Sequence, residues 1–141
     1  MGAKMSSMNK VSFEDLQLFI KGNRNDYLLI NTLDTTEQGC LIKETLPIDK
    51  EVEIINGLKN KKIRIIIYGR NANDESISKK YGQLLTLGFT YIYIYPGGLF
   101  EWLCLQDIYG CDKFPTSGQL LDILKFKPIS KLNNTYLLKD S

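Results

Sequence analysis

Three cysteines, Cys40, Cys104 and Cys111, are the nucleophile candidates in this sequence, and no histidine accompanies them. The missing histidine excludes His-based acid–base catalysis, Ser-His and Cys-His nucleophiles, and most zinc chemistry. The cysteines are odd in number and lack C-x-x-C spacing, so neither a disulfide framework nor a thiolate metal site is indicated. A thiol becomes a good nucleophile where nearby positive charge lowers its pKa. Cys40 has only Lys43 close by in sequence, and Cys104 between Leu103 and Leu105 reads as a buried, inert thiol. Cys111 stands beside Asp112, a charge that opposes ionisation. None of the three is expected to be catalytic. Asp26, Asp34 and Glu37 lie near strand ends and read either as a carboxylate site or as solvated loop charges. No spacing among them favours a metal, and no cofactor is implied.

The stretch Gly69, Arg70, Asn71, Ala72, Asn73, Asp74, Glu75 is the strongest candidate for binding chemistry. It joins an apolar run to a helical pattern, and a loop entering a helix N-terminus is a natural cradle for anions. Asp74 and Glu75 are expected in the first helical turn, where they complement the dipole and repel an incoming anion. Only Arg70 and Asn71 could greet one. Small anions should therefore bind weakly at best.

The elements that hold this loop follow from periodicity. Ser12 and Asp15 resemble a capping box, with Phe13, Leu16, Phe19 and Ile20 on one helical face and Gly22-Asn23 as the stop. Tyr27–Ile30 is a short apolar run suited to a strand buried on both faces. Cys40–Ile42 reads as a short edge strand. Asp49–Lys59 has helical spacing through Val52, Ile55 and Leu58. Ile63–Tyr68 is the strongest strand signal. A helix is expected from Asp74 to Leu87, burying Ile77, Tyr81, Leu84 and Leu85, with Lys79 and Lys80 facing water and Gly88 as cap. Tyr91–Tyr95 alternates tyrosine with isoleucine, and packing under helices explains the tyrosine face better than a recognition surface. After Pro96-Gly97-Gly98 comes a short helix carrying Trp102, which should pack on the sheet. A loop at Tyr109–Thr116 and a final helix over Ser117–Lys125 complete the order. Strands alternating with helices imply a parallel α/β sheet with ligands at the carboxyl ends of its strands.

Length and charge set the remaining limits. The 141 residues suit one domain, and a formal charge of +2 is too small for a nucleic-acid footprint. No apolar run of about 18 residues predicts a membrane span, and no signal core is present, so a reducing, cytoplasmic setting is expected. Residues 1–9 read as a disordered arm, 10–126 as the domain and 127–141 as a tail of undefined structure. Met1–Ser6 matches the loose M-G-x-x-x-[ST] acylation pattern, a match that chance or a leader also explains.

This order resembles the rhodanese-like domain over roughly Lys10–Gln106. Leu28-Leu29-Ile30-Asn31 with Gly39-Cys40-Leu41-Ile42 is similar to the family's "LIDVR … GHI" segment. Ile65-Ile66-Ile67-Tyr68 takes the place of its active-site strand, and Gly97-Gly98-Leu99-Phe100-Glu101-Trp102 reproduces its "GG…W" signature, with Leu87-Gly88-Phe89 upstream. The resemblance implies a single-domain α/β fold with a central parallel sheet of about five strands flanked by helices. It also implies a nucleophilic cysteine immediately after the active-site strand, and here that position is Gly69. The customary Asp is Asn31, and the His of "GHI" is Cys40. These departures imply a catalytically inactive domain serving as a binding or regulatory module with a protein partner. The alternatives are a sulfurtransferase or phosphatase-like enzyme using a displaced cysteine, and an unrelated small α/β protein with a chance GG…W.

Overall fold

The computed structural model describes residues 8–22, 25–130 and 132. Four parallel strands form one sheet in the order β1-β4-β3-β2: β1 (Asn9–Lys10), β2 (Tyr27–Asn31), β3 (Arg64–Tyr68) and β4 (Tyr91–Ile94). Helices α1 (Phe13–Gly22), α2 (Ile48–Gly57), α3 (Ser76–Thr86) and α4 (Gly98–Tyr109) alternate with them. In register, Leu29 faces Ile66 and Ile30 faces Ile67 across β2 and β3, while Ile65 faces Ile92 across β3 and β4.

Alternation along the strands sends successive side chains to opposite faces, so the sheet carries two cores. On one face Leu29, Ile66 and Tyr68 pack with Leu16 and Phe19 of α1 and with Leu99, Trp102 and Leu103 of α4. On the other, Ile30, Ile65, Ile67, Ile92 and Ile94 pack with Ile55 of α2 and with Ile77 and Leu84 of α3. The capping box forms as expected. Ser12 N donates to Asp15 Oδ2 at 2.8 Å, and Asp15 N to Ser12 Oγ at 3.4 Å. Gly88 ends α3 at φ +99°, a left-handed conformation that favours glycine.

Several expectations are corrected. The sheet has four strands among the described residues, not about five. Cys40–Ile42 is buried but forms no strand, only an isolated bridge from Ile42 to Thr116. The arm assigned to residues 1–9 ends too late, because Met8 is buried and Asn9 pairs with Tyr93. Residues 1–7, with the acylation pattern, lie outside the described residues, as do Asn23 and all of 133–141. No final helix spans Ser117–Lys125. A 3₁₀ turn at Ile123–Phe126 replaces it, and Gly118 lies so close to the Gly39 carbonyl that no side chain fits there. Within the expected apolar stripes, Val52 and Leu85 are exposed. Lys80 does not face water but pairs with buried Glu51.

Candidate functional site

The loop Gly69–Glu75 leaves the carboxyl end of β3, an interior strand, and enters α3. Its backbone is held by the start of α4. Leu99 N donates to Gly69 O and Phe100 N to Arg70 O, each at 2.9 Å. Two donors that a helix start leaves free are thereby spent on the loop itself. Gly98 makes this approach possible. Its φ is +65°, and a Cβ there would meet Gly69 O at 2.7 Å and Asn71 N at 2.9 Å. The second glycine of the sequence signature therefore seats the loop, and Trp102 one turn later anchors the helix that carries it.

The cradle is filled by the chain's own carboxylate. Asp74 Oδ2 accepts from Arg70 N at 2.8 Å, and Asp74 Oδ1 accepts from Ser76 N at 3.0 Å and from the Ser76 hydroxyl at 2.6 Å. The Ser76 hydroxyl also lies 2.7 Å from Thr32 Oγ1 at the end of β2. Three donors that could receive an anion converge on one internal anion, which the adjoining helix start also favours. The expected placement of Asp74 and Glu75 in the first helical turn is corrected. Glu75 is the exposed residue before α3, Asp74 precedes it, and the first turn holds no acidic residue. Asp74 instead turns its carboxylate back onto the loop.

Gly69 is buried against this plug. A Cβ at Gly69 would run into the Asp74 carboxylate and would approach Thr32 Oγ1 to 2.8 Å. A side chain at Gly69 would have to displace the Asp74 carboxylate. Arg70 is also engaged. Its Nη1 donates to both oxygens of Glu37, at 2.6 and 2.7 Å, and the Glu37 side chain is only 7% exposed. Its guanidinium stacks 5.1 Å from the centre of the buried Phe126 ring, and Asn71 Nδ2 donates to Phe126 O at 3.0 Å. The turn at Ile123–Phe126 therefore covers one side of the loop, leaving Ala72, Asn73 and Glu75 exposed.

The other candidates fall elsewhere. Asn31 is buried and makes a reciprocal amide pair with Gln38, at 2.8 and 3.1 Å, while its Oδ1 also accepts from Leu33 N. Asp26 pairs with Arg64 at 3.5 Å, and Asp34 opens the 3₁₀ turn at Thr35–Glu37. Of the two readings of Asp26, Asp34 and Glu37, a solvated loop charge does not fit Glu37, which is paired with Arg70. Sequence reasoning missed the pairing of Glu37 with Arg70 and missed Ser76 altogether. Their partners are 33 and 44 positions away, at Arg70 and Thr32, so no local spacing signals them. Among the described residues no cluster of three or more His, Cys, Asp or Glu could hold a metal, and no helix is long and apolar enough to cross a membrane.

All three cysteines are free: Cys40 is buried, Cys104 half-buried and Cys111 exposed. Burial pushes the Cys40 thiol up, and burial followed by Asp107 does the same for Cys104. A neutral thiol is a poor nucleophile. With an alkylating reagent at pH 8, Cys111 should react rapidly in the native protein and Cys40 only after unfolding. Mass mapping of the modified residues checks this, and native labelling of Cys40 at the rate of Cys111 would contradict it.

No protein-family model and no curated protein matches the sequence. Solved structures do. The rhodanese-like domain of the Anabaena sp. protein Alr3790 is 22% identical with a TM-score of 0.56, over 86% of each chain. Ygr203w, a yeast protein tyrosine phosphatase of the rhodanese family, is 16% identical with a TM-score of 0.56, over 85% of this chain and 99% of that one. A single-domain sulfurtransferase of Saccharomyces cerevisiae is 14% identical with a TM-score of 0.52, over 80% and 100%. Likeness at these identities concerns architecture. The chain has a single-domain rhodanese-like α/β fold, a parallel sheet flanked by helices.

Proposed function

We propose that this protein is a catalytically inactive rhodanese-fold module that works by binding a protein partner, in a reducing compartment such as the cytoplasm. One observation carries the reading: Asp74 places its carboxylate on the loop donors while Gly69 supplies no nucleophile beneath it. Sulfur transfer and phosphate-ester hydrolysis on this scaffold both need an attacking group at the loop and a place for the substrate's anion. Neither is provided. The exposed rim remains a contact surface, since Asn73 and Glu75 share a depression with the exposed Ile129 and Leu132. Apolar side chains beside polar ones on a rim of this kind suit a protein surface better than a small anion.

Two assays test the reading on the intact chain: sulfur transfer from thiosulfate to cyanide, and hydrolysis of p-nitrophenyl phosphate. Both should stay at the uncatalysed rate. Turnover above background that disappears in Cys111→Ser would overturn the proposal in favour of a displaced-cysteine enzyme.

A further inference from the structure

The groove between α2 and α3 lies on the face of the sheet opposite Trp102 and is independent of the loop. It encloses ≈ 420 Å³, within the range of small-molecule sites. Val52 and Ile55 of α2 and Leu84 of α3, with Leu87 just beyond it, supply apolar walls. Val52 and Leu87 are 65% and 45% exposed, so apolar surface that could have been packed away is left lining the opening. Glu51 reaches into the groove with a side chain that is only 5% exposed. Its Oε2 accepts from Lys80 Nζ at 2.6 Å. Its Oε1 is buried and has no hydrogen-bond partner, alone in this among the buried polar side-chain atoms of the described residues.

A buried carboxylate oxygen without a donor is strongly disfavoured, and native proteins rarely tolerate one without a use. None of the polar side chains that line the groove with it, Asn56, Lys80, Gln83 and Thr86, donates to Oε1, so a ligand's donor would satisfy it. Its charge type is also constrained. Lys80 already neutralises Glu51, and a second cation would face that ammonium across the same carboxylate. We propose that this groove binds a small neutral molecule with an apolar body and one terminal O–H or N–H, the donor meeting Glu51 Oε1 and the body lying along Val52, Ile55, Leu84 and Leu87.

The test follows backbone amide shifts of the full chain titrated with cyclohexanol, methoxycyclohexane, cyclohexanone and cyclohexylammonium. Cyclohexanol should shift the amides of Val52, Ile55, Leu84 and Leu87 saturably. Methoxycyclohexane and cyclohexanone match its apolar body but lack the donor, and they should bind about tenfold more weakly, the worth of one hydrogen bond to a charged acceptor. Cyclohexylammonium should also bind more weakly than cyclohexanol. In Glu51→Gln the carboxamide oxygen can keep Lys80 while its N–H turns into the groove, so the order should invert and cyclohexanone should exceed methoxycyclohexane and match or pass cyclohexanol. Equal binding of cyclohexanol and methoxycyclohexane, tighter binding of the ammonium, no saturable shift with cyclohexanol, or an unchanged order in folded Glu51→Gln would each overturn the proposal. If Glu51→Gln does not fold, the wild-type order alone decides.

Discussion

Trp102→Ala should destabilise the protein by about 3–5 kcal/mol, the range for deleting a buried tryptophan. Trp102 is completely buried, meets Phe114 edge-on at 5.0 Å and Tyr95 at 6.2 Å, and donates its Nε1 hydrogen to Pro115 O at 3.1 Å. Truncation opens a cavity between α4 and the sheet and removes one of the two donors to Pro115 O, which also accepts from Lys43 N at 3.0 Å. The loss is comparable to the whole stability of many domains, so the melting temperature should fall by about 10 °C or more, if a cooperative transition survives. Trp102→Phe keeps most of the ring and should lose about half as much. Thermal unfolding of both variants checks this. A Trp102→Ala change below about 1 kcal/mol would show that the residue is not the anchor of α4 and of the loop resting on it.

Gly69→Cys should restore no sulfur transfer and should itself destabilise the fold. Its Cβ collides with the Asp74 carboxylate and crowds Thr32 Oγ1 at 2.8 Å, an overpacking expected to cost about 1–3 kcal/mol. A thiol in that position would also face a carboxylate, which favours its neutral, unreactive form. Two contributions thus oppose activity, steric and electrostatic, and both come from Asp74. Adding Asp74→Ala to Gly69→Cys should therefore cost less than the sum of the single changes, because the second removes the group that the first collides with. A thermodynamic cycle over the four proteins measures the coupling. Strict additivity, or sulfur transfer by Gly69→Cys alone, would separate the glycine from the plug.

Much of this architecture is legible in the sequence where the signal is local. The Ser12–Asp15 box, Gly88, the isoleucines of β3 and the Gly97-Gly98…Trp102 group each state their structure within a few residues, through capping geometry, positive φ or strand alternation. β1 was hidden because Asn9-Lys10 has no apolar pattern, and only its pairing with Tyr93 and Ile94 makes it a strand. The expected helix over Ser117–Lys125 failed for a tertiary reason. Leu120, Leu121 and Leu124 mimic a helical stripe, but Gly118 is held against Gly39, and Leu121 and Leu124 remain in solvent. In the loop, the sequence displayed the right charges but not their geometry. α3 starts at Ser76, two residues later than expected, and that leaves the Asp74 side chain to fold back onto Arg70 N and Ser76 N. Glu37 and Arg70, like Glu51 and Lys80, pair across the fold at separations no periodicity reveals.

The claim that the loop is filled by its own carboxylate is tested most directly by titrating sulfate and thiosulfate against the wild type and Asp74→Ala while following the Arg70 and Ser76 amides. The wild type should show no saturable shift at low millimolar anion. Asp74→Ala frees Arg70 N and Ser76 N, so both amides should shift saturably. Without anion the variant should be less stable by about 1–3 kcal/mol, having lost a half-buried acceptor of three hydrogen bonds, and bound anion should return part of that stability. Glu75→Gln, a change at the exposed neighbour, should leave anion affinity near that of the wild type. Saturable wild-type binding centred on Arg70 and Ser76 at submillimolar anion would contradict the account, because the loop would then be an open anion site.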